Sequence, residues 1–114
     1  MINVSAISKI CVVILGALLA GTALYLSAKL TVSFLKKYRQ KKTSKIFAAK
    51  VKDLIKKAPT INLDDLPNME EDDVILAEYD EENDELVQDT SVAKEIDDQV
   101  EAILKDNEGI VIFA

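Results

Sequence analysis

The segment from Ile10 to Ala28 constrains this chain most, because it runs for nineteen residues without a charge or a proline. At about 1.5 Å per residue, a helix of that length covers about 28 Å, close to the hydrocarbon thickness of a bilayer. Apolar residues resume after Lys29, whose ammonium can extend towards the headgroups, so the predicted helix continues to Leu35. The sequence predicts a transmembrane helix over residues 10–35, preceded by a short tail over residues 1–9.

The charges of this chain are separated along its length at Pro59. Twelve Lys and Arg residues precede Pro59 together with one acid, Asp53, which gives a net charge of +11. From Pro59 onwards nineteen acids accompany two lysines, which gives −17, and the two halves sum to −6. Such blocks of charge indicate two environments, a membrane surface for the first half and solvent or a basic partner for the second.

A basic segment over residues 36–58 follows the apolar segment, whereas the opposite flank offers only Lys9 and the α-amino group. By the positive-inside rule this asymmetry predicts an N-terminus outside and a C-terminus in the cytoplasm. It also favours an anchor over a cleaved signal peptide. Within the segment, apolar residues at helical spacing over 43–58 predict an amphipathic helix lying on the bilayer. The predicted lipid-headgroup contacts are Lys36, Lys37, Arg39, Lys41, Lys42, Lys45, Lys52 and Lys56.

Small residues recur four apart within the apolar segment. Gly16 with Ala20, and Ala17 with Gly21, lie on one face of the predicted helix. Small side chains let two membrane helices approach closely, so we predict that this face packs against another helix.

The acidic half predicts a linker over residues 59–69 and a small α+β module over residues 70–114. Residues 70–88 fit a β-hairpin or, as an alternative, one acidic helix. Apolar residues every three or four positions predict a helix from Thr90 to Asp106. The β-branched, uncharged end of the chain predicts a buried strand. The predicted fold class is therefore a single transmembrane helix, a juxtamembrane amphipathic helix and a ββα-β module, or an all-α module with a terminal strand.

The composition of the chain lacks the residues of most familiar catalytic, phosphate-binding and metal-binding sites. The chain has no His, and its one cysteine is Cys11, within the apolar segment. Its three glycines are dispersed, which leaves no phosphate-binding loop. The acidic run 80–85 lacks the glycine of a calcium-binding EF-hand loop. We therefore predict no enzymatic activity, no cofactor, no metal, no small-molecule substrate and no nucleic-acid partner.

These patterns favour a membrane-anchored adaptor that binds lipid and docks a protein partner or forms a homo-oligomer. The predicted partner contacts are Ile110, Val111, Ile112 and Phe113, since an uncharged strand can extend the sheet of a partner. One alternative is a structural membrane protein of a multi-subunit assembly, such as a virus particle that contains an internal membrane. Another is a regulatory peptide that acts through its transmembrane helix.

Overall fold

The strands of this chain form one mixed sheet with helices on both faces. The computed structural model describes residues 4–58, 61–66 and 68–113, with side chains from residue 9 onwards, so parts of the predicted tail and linker lie outside the described residues. The helices are α1 (Val4–Leu19), α2 (Val32–Tyr38), α3 (Val51–Lys56) and α4 (Asp98–Asp106), with a 3₁₀ turn at Leu63–Asp65. The strands are β1 (Leu24–Tyr25), β2 (Lys45–Lys50), β3 (Val74–Asp80), β4 (Glu85–Leu86), β5 (Ser91–Ala93) and β6 (Ile110–Phe113).

The sheet joins the basic and acidic halves of the chain. Its strand order is β1-β5-β3-β2-β6, and β4 forms a hairpin with β3. Strand β2, from the basic half, lies antiparallel between β3 and β6 of the acidic half. The predicted ββα-β fold of the acidic module is therefore wrong, because β2 of the basic half lies between its strands.

Each face of the sheet is covered by its own layer of helices. Alternate residues of a strand point to opposite faces, so β2 directs Phe47 and Ala49 to one side and Ile46 and Ala48 to the other. The Phe47 side packs against α1 and α3, whereas the Ile46 side packs against α2 and α4. The fold is a layered α/β domain with two apolar cores.

Helix α1 occupies the first part of the predicted transmembrane segment but packs on the sheet. Ile10, Ile14 and Leu18 recur on one face, and each is at most 2% exposed. Gly21, just beyond the helix, has a left-handed φ of +79° that turns the chain towards β1. No helix among the described residues is long and apolar enough to cross a membrane. The predicted spanning helix over residues 10–35 is wrong, as are the fold class, the membrane topology and the virus-membrane location that depend on it.

The predicted surface helix over residues 43–58 is instead strand β2 followed directly by the short helix α3. The four apolar residues between Lys45 and Lys50 are buried on both faces of the sheet, as in a central strand. Phe47, Val51 and Leu54 appear helically spaced because strand and helix bury side chains into the same core. The sequence pattern therefore spans two elements.

The predicted helix from Thr90 to Asp106 is correct only in its second part. Residues 91–93 form β5, which pairs with β3 and β1. The helix α4 begins after Asp97, whose carboxylate accepts a hydrogen bond of 2.8 Å from the Val100 amide. Strands β3 and β4 form the predicted hairpin, so the alternative prediction of one acidic helix over residues 70–88 is wrong. Strand β6 lies where the sequence predicts the terminal strand.

Candidate functional site

The small residues predicted to pack against another helix lie on the outer side of α1 and in the turn after it. Gly16, Ala20 and Gly21 are exposed, and Ala17 is half-buried. A Cβ atom added at Gly16 or Gly21 would meet no heavy atom within 4 Å from other parts of the described chain. This face is therefore open in the structure, and its contact with another helix stays a prediction.

The predicted headgroup lysines divide into paired and unpaired residues. Lys41 pairs with Asp80, Lys45 with Glu81 at 3.1 Å, Lys52 with Asp72 at 3.3 Å, and Lys56 with Asp53 at 3.5 Å. The carboxylate partners raise the pKa of Lys41 and of Lys52. Lys36, Lys37 and Lys42 form no ion pair with a described residue. Their contact with lipid stays a prediction, and these three remain available to anionic groups.

Helix α2 carries part of this unpaired charge and is fixed at both ends. At its start the Thr31 hydroxyl accepts a hydrogen bond of 3.1 Å from the Phe34 amide. At its end the hydroxyl of buried Tyr38 lies 3.1 Å from the carbonyl oxygen of Asp89. Residues 32–38 contain no acid, so the surface of α2 is positively charged.

The loop after α2 is held by a buried carboxylate on β3. Glu78 is 0% exposed, and its oxygens accept hydrogen bonds from the Gln40 amide at 3.0 Å and the Lys41 amide at 2.8 Å. The hydroxyl of Ser44 and the side-chain amide of Gln88 complete its surroundings. Burial alone would raise the pKa of Glu78, but these hydrogen bonds hold it below its usual value. The loop that carries Arg39 is therefore fixed to the sheet.

A groove of about 300 Å³ lies between α2 and the end of β6. Apolar side chains of α2, β2 and β6 and two cations line it: Val32, Leu35, Lys36, Arg39, Ile46 and Phe113. The Nη2 group of Arg39 donates to the Phe113 carbonyl oxygen at 3.2 Å. The Nε group of Arg39 is buried and has no acceptor among the described residues. The groove thus combines apolar walls with an unsatisfied cationic donor, which suits an acidic group next to an apolar one.

Strand β6 forms one edge of the sheet and pairs with β2 alone among the described strands. The Lys50 amide donates to the Gly109 carbonyl at 2.9 Å, and hydrogen-bonded pairs alternate along an antiparallel ladder. Val111 and Phe113 therefore bond to β2, whereas the Ile110 carbonyl and both backbone groups of Ile112 point outwards. The Ile110 amide donates to the Asn107 carbonyl at 3.3 Å within the chain. The strand has no charge and no proline, the residues that usually block an edge.

The acidic run 80–85 is engaged in hydrogen bonds and ion pairs. The Lys41 ammonium and the Asn83 amide hold the pKa of Asp80 at about 2. Asp84 pairs with Lys9 at 2.8 Å and accepts a hydrogen bond of 3.1 Å from Tyr79. Among the described residues, no group of three or more His, Cys, Asp or Glu could hold a metal ion.

Sequence patterns predict that β6 is a contact strand, but they do not place Arg39 beside it. Arg39 and Phe113 are 74 positions apart, and no local periodicity links them. No protein-family model, curated protein or solved structure matches this chain. The function is therefore inferred from the geometry of the chain itself.

Proposed function

We propose that this protein is a non-enzymatic docking module that takes up an extended segment of a protein partner along β6. The observation that carries the proposal is the coincidence of two features at one edge. Strand β6 directs the Ile110 carbonyl and both backbone groups of Ile112 outwards, and the cation-lined groove opens beside its last residue. A strand added at this edge gains backbone hydrogen bonds from β6 and side-chain contacts from the groove.

The charges near the groove favour an acidic segment. Lys36 and Lys37 are exposed on α2, and the Nε group of Arg39 lacks an acceptor among the described residues. A carboxylate on the docked segment would satisfy that donor and form a charge-assisted hydrogen bond. The apolar side chains of Leu35, Ile46 and Phe113 suit an aliphatic or aromatic residue next to that carboxylate.

A pair of substitutions at one position tests whether the outer edge of β6 is the docking site. Ile112→Pro removes an amide that faces away from β2, so the ladder inside the sheet is retained. Ile112→Ala removes the same side-chain packing but keeps the amide, and it serves as the matched control. The probe is a fluorescein-labelled peptide of alternating valine and glutamate, about eight residues long, with a valine–lysine peptide as its charge control.

We expect the valine–glutamate peptide to bind the unsubstituted chain and Ile112→Ala, as measured by fluorescence anisotropy. Ile112→Pro should abolish binding because the strand added at the edge loses its donor. The valine–lysine peptide should bind at least about tenfold more weakly, because it faces cations. Equal binding of the valine–glutamate peptide to the proline and alanine variants would overturn the proposal.

A further inference from the structure

The groove between α2 and the end of β6 has the composition of a site for a small ligand with one charged end. Its described lining residues are four apolar side chains and two cations, Lys36 and Arg39, with no acid among them. We propose that this groove binds a free straight-chain carboxylic acid, a ligand of a different class from the protein segment docked along β6. The groove volume of about 300 Å³ is at the lower limit of small-molecule sites, so it suits a chain of about eight carbons. The acid is held as a ligand and is not converted.

Arg39 determines the charged end of the ligand. Its Nη2 group donates to the Phe113 carbonyl oxygen at 3.2 Å, while its Nε group has no acceptor among the described residues. Neither Arg39 nor Lys36 forms an ion pair within the described part of the chain. A guanidinium can hold a carboxylate through two parallel N–H···O bonds. A carboxylate in the groove therefore supplies the missing acceptor and a counter-charge for both cations.

The rest of the ligand is a hydrocarbon, because the described lining side chains offer no partner for a second polar group. The Phe113 carbonyl is already bound to Arg39, and the two cations are used by the carboxylate. A peptide amide or a sugar hydroxyl inside the groove would lose its hydrogen bonds to water without replacement. A methylene chain has no such cost, and it covers the half-buried side chains of Val32 and Phe113.

The groove is already formed in the chain without a ligand. Ile46 of the central strand β2 and Leu35 of α2 lie deepest in it, at 2% and 6% exposure. Helix α2 is held by its Thr31 cap and by the hydroxyl of Tyr38, and the loop after it is held by Glu78. A preformed site loses little conformational entropy on binding, so a ligand of this size can bind measurably.

The test is NMR of the full ¹⁵N-labelled chain, titrated with sodium octanoate at neutral pH. Arg39 is the only arginine in the sequence, so its Nε–H signal is identified without ambiguity. We expect octanoate to shift this signal and the amide signals of Lys36 and Phe113 until they saturate. Affinity should rise by up to about fourfold per added methylene from hexanoate to octanoate, because each methylene is buried. Octan-1-ol and octylamine, which lack the carboxylate, should bind at least about tenfold more weakly.

Two substitutions that each remove one positive charge separate the groove from the general charge of α2. Arg39→Gln changes a lining residue and should weaken octanoate at least about tenfold, read from the Lys36 and Phe113 amides. Lys37→Gln, on the same helix but outside the groove, should weaken it less than about twofold. The amide signals of α1, on the other face of the sheet, should stay in place in both variants, which shows that the fold is retained.

Equal weakening by the two substitutions would overturn the proposal, because octanoate would then follow the charge of α2 alone. An Arg39 signal that octanoate leaves unmoved at millimolar concentration, or equal affinities of hexanoate and octanoate, would also overturn it. Docking along β6 is decided separately by the Ile112→Pro variant and the peptide. Failure of octanoate to bind therefore leaves the docking proposal standing, and failure of the peptide leaves the acid site standing.

Discussion

Replacing Glu78 tests how the structure fixes the loop that carries Arg39. The carboxylate is fully buried and has no cationic partner within ion-pair distance among the described residues. Its charge is stabilised by neutral donors, two backbone amides and two side chains. Glu78→Ala removes the acceptor for all of them at once. Glu78→Gln keeps one oxygen but presents an NH₂ group to donors.

The expected cost follows from the donors that are left without an acceptor. Each buried donor without a partner costs about 1–3 kcal/mol, and water can reach those on the loop in part. We therefore expect Glu78→Ala to lower the free energy of unfolding by about 4 kcal/mol and Glu78→Gln by about 2 kcal/mol. At about 4 °C per kcal/mol, the midpoint of thermal unfolding falls by about 15 °C for the alanine variant.

Urea and thermal unfolding followed by circular dichroism measure these changes. Glu82→Ala, at an exposed position of the neighbouring turn, is the control and should change the stability by less than about 0.5 kcal/mol. A loss below about 1 kcal/mol for Glu78→Ala would refute the role of this carboxylate, because that value corresponds to about one ordinary hydrogen bond.

Other features of the fold give further predictions. The pKa of Asp80 is lowered from 3.8 to about 2, so the stability that it contributes is present above pH 3.8 and is lost as the pH falls towards 2. Acid unfolding measures this loss, and Asp80→Asn should remove this pH-dependent part of the stability. Gly109→Ala should cost about 2 kcal/mol in urea unfolding, since Gly109 has a φ of +86° and an added Cβ atom would overlap the carboxylate of Asp53. Gly16→Ala, in an open helical position, should instead stabilise the chain by about 0.5–1 kcal/mol. Burial raises the pKa of Cys11 to about 11, so a disulfide reagent should react with the folded chain far more slowly than with the chain in urea, and equal rates would contradict the packing of α1.

The sequence predicts those elements whose pattern is bounded by polar residues. Strand β6 follows Gly109, and the strand from Val74 lies between acidic runs, so their limits are visible in the residue types. The second part of the predicted C-terminal helix is visible for the same reason, since Val100 and Leu104 recur among charges. These elements depend on local patterns, which a sequence records directly.

The first half could not be predicted in this way because its apolar residues fit two environments. An apolar run such as Ile10–Ala28 is compatible both with the interior of a bilayer and with the core of a domain. Only the tertiary structure shows which face of α1 is buried and that Val12 and Leu19 are exposed. The groove depends on the approach of Arg39 to Phe113, which requires the order of the strands. Sequence patterns could therefore indicate the terminal strand but not the cation that lies beside it.

The claim that the outer edge of β6 is the docking site is tested most directly by amide hydrogen exchange at Val111 and Ile112. In the free monomer we expect the Val111 amide, which bonds to β2, to exchange slowly and the outward-facing Ile112 amide to exchange rapidly. Saturating valine–glutamate peptide should slow exchange at Ile112 by at least about tenfold and leave Val111 nearly unchanged. An Ile112 amide whose exchange rate is the same with and without the peptide would contradict docking at this edge.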